Sequence, residues 1–141
     1  MGHRITTQNR GRGGPTYRAP SHRYKAELKH LSTGDVTVRG VVIGIEHDPA
    51  RHSPIALVRL ENQQKVYSLA TEGIGVGDAV TWGPEAEFRN GNTLPLGKIP
   101  AGAYVCNIEA RPNDGGKFVR ASGVQAIVVD KTDDKVGVKM P

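Results

Sequence analysis

Hydrophobic positions in this chain fall in strand-length runs separated by turn residues. Val36, Val38, Val41, Val42, Ile43 and Ile45 form a long β-branched stretch that starts at Asp35 and holds Gly40 and Gly44 inside it. β-Branched side chains suit a pleated surface, and glycine inside a strand signals a bulge or sharp bend of the kind a small barrel requires. Asp48-Pro49 breaks the run. Ile55 to Leu60 predicts a second strand, Glu61 to Gln64 a turn, and Lys65 to Leu69 a third strand. The glycines between Thr71 and Asp78 predict a loop, and Ala79 to Trp82 a short fourth strand stopped by Gly83-Pro84. Strands at this spacing, with turn signals between them, indicate a small barrel or sandwich.

A second unit begins near Phe88. Asn90 to Gly102, rich in Gly, Pro and Asn, predicts an ordered connector, Tyr104 to Ala110 a strand, and Arg111 to Gly116 a turn cluster. Val124 to Asp130 and Lys135 to Met140 predict a hairpin across Lys131 to Asp134. No stretch has helical periodicity and no period of a repeat protein appears. The fold class expected is all-β. The second unit has too few strands to close, so it is expected to be truncated at its C-terminal side, with a further segment or another chain completing it.

Composition sharpens this picture. Among 141 residues there are 18 glycines and nine prolines, which favours turns and short strands. No apolar run approaches the length of a membrane-spanning helix, and the N-terminus lacks the apolar core of a secretory signal. The single cysteine, Cys106, excludes an internal disulfide framework and suits a reducing compartment. The expected setting is the cytoplasm.

The net charge of +5 is not evenly spread. Residues 1–31 hold seven Lys or Arg against one acid, Glu27, whereas residues 32–141 hold twelve basic and thirteen acidic residues. This arm has only Ile5, Leu28 and Leu31 as large aliphatics, so it is expected to be disordered or extended until a partner holds it. Its Arg-Gly character with interleaved Tyr17, Tyr24, His3, His22 and His30 suits RNA: guanidinium groups fork onto phosphate oxygens, and aromatic rings stack on unpaired bases. A solvated tail or localisation signal is the plainer reading. A membrane surface fits less well, because no amphipathic apolar face accompanies the charge.

Candidate catalytic chemistry is thin. His47 and His52 flank Asp48, but two histidines and one carboxylate without a cysteine partner do not make a closed zinc set, so no metal site is expected. Cys106 has no neighbouring base and reads as a small buried thiol. The glycines from Gly73 to Asp78 lack the following helix that a phosphate-cradling loop needs. No enzyme activity, cofactor or small-molecule substrate is expected. Binding residues are easier to nominate: Arg51 and His52 lie on a loop between strands, and Lys98, Lys117 and Arg120 lie on or beside Gly-rich turns where the chain can approach a phosphate backbone.

Four ordered segments carry a resemblance that runs along essentially the whole chain: RGRGGPTYRAPSHRYKA in the arm, IEHDPARHSPIALV from Ile45 to Val58, GNTLPL from Gly91 to Leu96, and NDGGKFVRASG from Asn113 to Gly123. Together they resemble the universal large-subunit ribosomal protein "L-two" family, in its archaeal and eukaryotic form. The resemblance implies a basic N-terminal arm (residues 1–31), an OB-fold barrel (32–86) and an SH3-like barrel (87–141), the last incomplete. It implies binding of large-subunit rRNA, with neighbouring ribosomal proteins as further partners and magnesium only as an ion associated with the rRNA. The rRNA-facing residues it implies in the arm are Arg4, Arg10, Arg12, Tyr17, Arg18, His22, Arg23, Lys25 and Lys29. In the body they are Arg51, His52, Asn92, Thr93, Lys117, Arg120 and Ser122, with Lys98 added from its Gly-rich setting. Family members continue beyond this length with a histidine-bearing segment near the ribosome's catalytic centre, and their tRNA and peptidyl-transfer roles are not carried over to this chain.

The competing expectation is a free-standing OB-type RNA-binding factor, which would display exposed aromatic stacking platforms on its barrel face. Of Tyr67, Trp82, Phe88, Tyr104 and Phe118, most are expected in the core.

Overall fold

The computed structural model describes residue 2, residue 11, residues 13–133 and residues 135–141. The fold is all-β: two antiparallel sheets in sequence, an OB-type unit followed by an SH3-like unit, with no α-helix among the described residues. No helix is long and apolar enough to cross a membrane among those residues.

The first sheet has the order β3-β2-β1-β4, formed by β1 (Val38–Glu46), β2 (Ile55–Leu60), β3 (Lys65–Leu69) and β4 (Ala79–Trp82). The nine-residue β1 is its spine, pairing β2 from Gly40 to Glu46 and β4 from Val38 to Val41. The two interior glycines of β1 do different work. The register slips between Val42 and Gly44, so Gly44 belongs to a bulge that bends the strand. Gly40 instead marks a close approach: a Cβ there would lie 2.7 Å from Val58 Cγ1 and 3.0 Å from the Arg59 carbonyl oxygen. Val42, Ala56, Val58, Leu60, Val80 and Trp82 form the buried cluster under this sheet, and Leu31 of the arm packs against it.

The expected connector from Asn90 to Gly102 is ordered and does more than connect. Thr93 forms a parallel bridge with Trp82, its N–H donating to the Thr81 carbonyl at 2.8 Å and its carbonyl accepting from Gly83 N at 3.0 Å. The otherwise open edge of β4 is thereby covered for one residue pair. A short 3-10 turn follows at Leu96–Lys98.

The second sheet has the order β5-β6-β7: β5 (Tyr104–Val105), β6 (Ala126–Lys131) and β7 (Val136–Lys139), with a second bulge between Val128 and Asp130. The strand expected from Tyr104 to Ala110 is cut short. Asn107 adopts φ +51°, a left-handed conformation that asparagine tolerates better than most residues, and the pleat cannot run through it. Beyond it Ile108 pairs Phe118 in an isolated bridge closed by two N–H to carbonyl bonds of 2.9 Å.

The placing of most aromatics in the core is also corrected. Trp82 is buried and Tyr67 half-buried, but Phe88, Tyr104 and Phe118 are 55%, 60% and 47% exposed. Short strands give the second sheet only Ala126 and Val128 as fully buried positions, too little interior to enclose large rings. Cys106, expected as a buried thiol, is half-buried, and its burial pushes the thiol above its ordinary pKa, away from the thiolate that a nucleophile requires.

The contrast between the two β1 glycines is testable. Gly40→Ala should cost about 1–3 kcal/mol through overpacking against Val58. Gly44→Ala, with open space around its Cβ and no left-handed φ, should be close to neutral. Urea unfolding followed by Trp82 fluorescence reads both as midpoint shifts; equal shifts would refute the close-approach account of Gly40.

Candidate nucleic-acid interface

Two segments of the arm differ in how they sit. From Gly14 to Tyr24 the chain makes two 3-10 turns, Pro15–Tyr17 and Ser21–Arg23, which expose Tyr17, Arg18, His22, Arg23 and Tyr24. Proline opens the first turn because its fixed φ suits it and its missing N–H is not needed there. Arg4, Arg10 and Arg12 lie outside the described residues.

From Lys25 onward the arm is docked, contrary to the expectation that all of residues 1–31 would wait for an outside partner. Lys25, Glu27 and Lys29 are exposed, while Ala26 and His30 are half-buried and Leu28 is 1% exposed. This is the period-two alternation of an extended chain lying on a surface. The signal stands in the sequence as Lys-Ala-Glu-Leu-Lys-His, masked there by the basic and Gly-rich stretch before it.

The HDPARH loop grips the arm from the first unit. Asp48 is fully buried, and its carboxylate accepts the Ala50 N–H at 3.1 Å, the Lys25 N–H at 3.2 Å and Arg51 Nε at 2.8 Å. The bond to Ala50 is an Asx turn, closed also by Arg51 N on the Asp48 carbonyl, which is why Asp-Pro-Ala-Arg folds locally. Arg51 Nη2 then donates to the Ala26 carbonyl at 3.2 Å, and Lys25 Nζ pairs with Glu46 at 3.0 Å. Burial works to raise the Asp48 pKa; the N–H bonds from Ala50 and Lys25 and the charge and N–H of Arg51 outweigh it and hold the carboxyl below its ordinary value. Glu46 raises Lys25 by hydrogen bond and charge.

The GGKFVR loop grips the arm from the second unit. Glu109 accepts the N–H groups of Asn113 and Gly115 at 3.0 Å each, and Asp114 accepts those of Ala110 and Arg111, which shapes the turn before the two glycines. Gly115 (φ +89°) and Gly116 (φ +83°) pass so close to the arm and to Asn107 that a Cβ would lie 2.9 Å from Lys29 Cγ and 2.8 Å from Asn107 Cγ, respectively. Gly115 O accepts His30 N at 3.1 Å, and His30 Nε2 meets the Asn107 carbonyl at 2.5 Å. Arg120 donates Nη2 to the Leu28 carbonyl at 3.0 Å and Nη1 to the Gly116 carbonyl at 3.2 Å. Burial lowers its pKa first, and the nearby positive charge of Arg51 lowers it further against Glu27, while a guanidinium stays charged throughout the neutral range.

The nominated residues therefore divide. Lys25, Lys29, Arg51 and Arg120 converge on the root of the arm, with Lys117 beside them, ion-paired to Asp114 at 3.0 Å. Asn92 and Thr93 do not join them: both ends of the Asn92 amide are engaged, Oδ1 accepting Thr81 N at 2.8 Å and Nδ2 donating to the Glu87 carbonyl at 3.0 Å. A groove of about 530 Å³ runs between these places, lined among others by His30, Leu31, Thr93, Tyr104 and Asn107. His52, Lys98 and Ser122 are exposed on separate turns. His47 and His52 gather no metal set around Asp48, whose oxygens are taken; no group of three or more potential ligands occurs among the described residues. In the Gly73 to Asp78 loop the Asp78 carboxylate is bound by Gly75 N at 2.7 Å. Leu28, His30, Asp48, Asn107 and Glu109 build the site and were not nominated as such from sequence.

The architecture defines a class: small two-unit β proteins, OB-type then SH3-like, with a basic arm seated at the junction. Comparison with known proteins names the family within that class. The family model "Ribosomal Proteins L2, RNA binding N-terminal domain" matches residues 2–82 and "Ribosomal Proteins L2, C-terminal domain" matches residues 89–141. The chain belongs to the L2 ribosomal protein family. It is 79% identical over 142 residues to "Large ribosomal subunit protein uL2" of Methanosphaerula palustris, 69% over 141 residues to that of Methanoregula boonei, and 54% over 142 residues to that of Halorubrum lacusprofundi. Each alignment takes in 100% of this chain, and the chain spans 59% of the length of these curated relatives.

Two outcomes follow from the docked arm. Leu28→Ala should cost about 2–5 kcal/mol, as truncations of fully buried leucines do, whereas exposed Lys29→Ala should stay within about 0.5 kcal/mol; equal effects in urea unfolding would contradict the seating. Because the Asp48 carboxyl is depressed in the fold, its stabilisation is fully present above its unfolded pKa and is lost as pH falls through the lower folded value. Asp48→Asn should therefore be less stable than the parent at neutral pH, and the gap should narrow below about pH 4. A gap independent of pH would refute the charged latch.

Proposed function

We propose that this chain is a structural, non-catalytic component of the large ribosomal subunit that binds large-subunit rRNA and supports subunit assembly, in the cytoplasm and beside other ribosomal proteins. Its functional division is an rRNA-binding arm (residues 1–31), an OB-fold barrel (32–86) and an SH3-like barrel (87–141). The observation that carries the proposal is the concentration of basic charge in an arm whose described residues 15–25 are exposed, in a chain of a family whose N-terminal domain is described as RNA binding.

Arg4, Arg10, Arg12, Arg18 and Arg23 supply the phosphate contacts, with Tyr17 and His22 available for stacking. Lys25 and Lys29 are already paired to Glu46 and Glu27, and so contribute less. Exposed His52, Lys98, Lys117 and Ser122 are the secondary contacts from the loops, and Arg51 and Arg120 turn part of their donors inward to the arm. Asn92 and Thr93 serve through the backbone shape of their loop.

The free-standing OB-type factor has one observation in its favour, the exposed rings of Phe88, Tyr104 and Phe118. None of the three lies on the first sheet, whose own aromatics are buried Trp82 and half-buried Tyr67, with the Tyr67 hydroxyl on Glu46. A stacking platform on the OB face is what that reading needs, so the ribosomal reading is preferred.

If about five arm charges neutralise phosphates, affinity for large-subunit rRNA should fall roughly five-hundredfold between 50 and 200 mM salt. Filter binding with the full chain and with residues 1–24 removed measures the slope. A shallow salt dependence, the same in both, would refute the electrostatic arm; absence of the tagged protein from sedimenting large subunits would refute the ribosomal role.

A further inference from the structure

Among the described residues, no hydrogen bond or ion pair runs directly from residues 33–93 to residues 94–141. Asn90, Asn92 and Thr93, at the start of the second unit, bind the first unit directly; beyond them, polar contacts between the two units pass through one short stretch of the arm. On the first-unit side, Lys25 N binds Asp48, Lys25 Nζ binds Glu46, the Ala26 carbonyl takes Arg51, and Leu31 packs on the buried cluster of the first sheet. On the second-unit side, the Leu28 carbonyl takes Arg120, His30 N binds Gly115 O, His30 Nε2 meets the Asn107 carbonyl, and Ser32 Oγ reaches Asn113 Oδ1 at 3.4 Å. The contacts are interleaved along the chain, so the segment cannot detach from one unit while staying fully seated on the other.

We propose that residues 25–32 are a strap that positions the two β units against each other, with Arg51 and Arg120 as its positioning residues. Each arginine reaches a main-chain carbonyl two residues apart, Ala26 and Leu28, from opposite units. A guanidinium suits this task because its several donors lie in one rigid plane: Arg51 holds the Asp48 carboxylate and a carbonyl together, and Arg120 holds two carbonyls. The two side chains sit close enough for the charge of one to depress the other. They remain close because each is tied to acceptors, Arg51 to a carboxylate and Arg120 to carbonyl dipoles. The arm thereby has two parts: an outer basic part that reaches for ligand, and an inner part that is internal architecture. The strap rests on the function proposed above only for its consequence, that loops of both units meet one RNA surface in a fixed relation.

The test uses the full chain in solution without RNA. Residual dipolar couplings of the backbone amides should fit one alignment tensor for β1–β4 and β5–β7 together. In the double variant Arg51→Gln/Arg120→Gln, the Lys25 and His30 amides should exchange about tenfold faster or more, as expected from loss of charge-assisted hydrogen bonds that anchor the segment. The two sheets should then require separate tensors while Val42, Val58 and Val128 amides keep their protection. If the double variant loses strand protection, Arg120→Gln alone decides, since it leaves the Asp48–Arg51 pair intact; Arg120→Lys, which keeps one donor for Leu28 O, should recover part of the shared alignment. A single shared tensor in the glutamine variants, or unchanged exchange at Lys25 and His30, would overturn the strap. A chain with one tensor that fails to bind rRNA would overturn the proposed function and leave the strap standing.

Discussion

A carboxylate with no exposed surface sits at the root of this structure. Asp48 is excluded from water, yet it stays ionised because the Ala50 and Lys25 N–H groups and Arg51 surround it. An uncompensated charge at such a position would be strongly destabilising, so the arm's Lys25 N–H and the orientation of Arg51 are required together. Once Arg51 is held by Asp48 through Nε, its Nη2 falls on the Ala26 carbonyl, and the arm enters the junction in a single direction. Leu28 and His30 then follow by the alternation of an extended chain.

The seating of the arm matters because neither sheet is large. The first buries six residues in its main cluster, and the second has β-strands of two, six and four residues. Small β units cannot bury all the apolar surface they carry, and here an extra extended segment contributes Leu28 and Leu31 from outside both. The same economy explains the exposed Phe88, Tyr104 and Phe118. It also gives Gly115 its reason: the second unit receives Lys29 of the arm at a distance that leaves no room for a Cβ, while Gly116 packs equally closely on Asn107 of its own unit.

Much of the strand pattern was legible, because β-branched runs and turn residues are local signals. Ile55–Leu60, Lys65–Leu69 and Ala79–Trp82 occur where their composition places them. The strand after Tyr104 was not legible, because its end depends on one residue, Asn107, whose left-handed backbone accompanies the packing of Gly116 against it and a contact from His30. The candidate site was legible in its residue types and not in their roles. Arg51 and Arg120 stand out as basic residues on loops, but their partners lie 25 and 92 residues away along the chain. Asn92 stands out as polar in a Gly-rich turn, and its amide is used to join that turn to β4.

By itself the sequence determined the class of the fold, the position of most of its strands along the chain and the separation of a basic arm from a near-neutral body. Each of these follows from the spacing and composition of neighbouring residues, which act over a few positions. Only the tertiary structure decided which basic groups face outward and which bind the chain's own carbonyls, and where the arm stops being a tail and becomes part of the body. Those outcomes turn on contacts between segments far apart in sequence. A guanidinium has the same chemistry toward a phosphate oxygen and a peptide oxygen, so only the packing decides which one it meets.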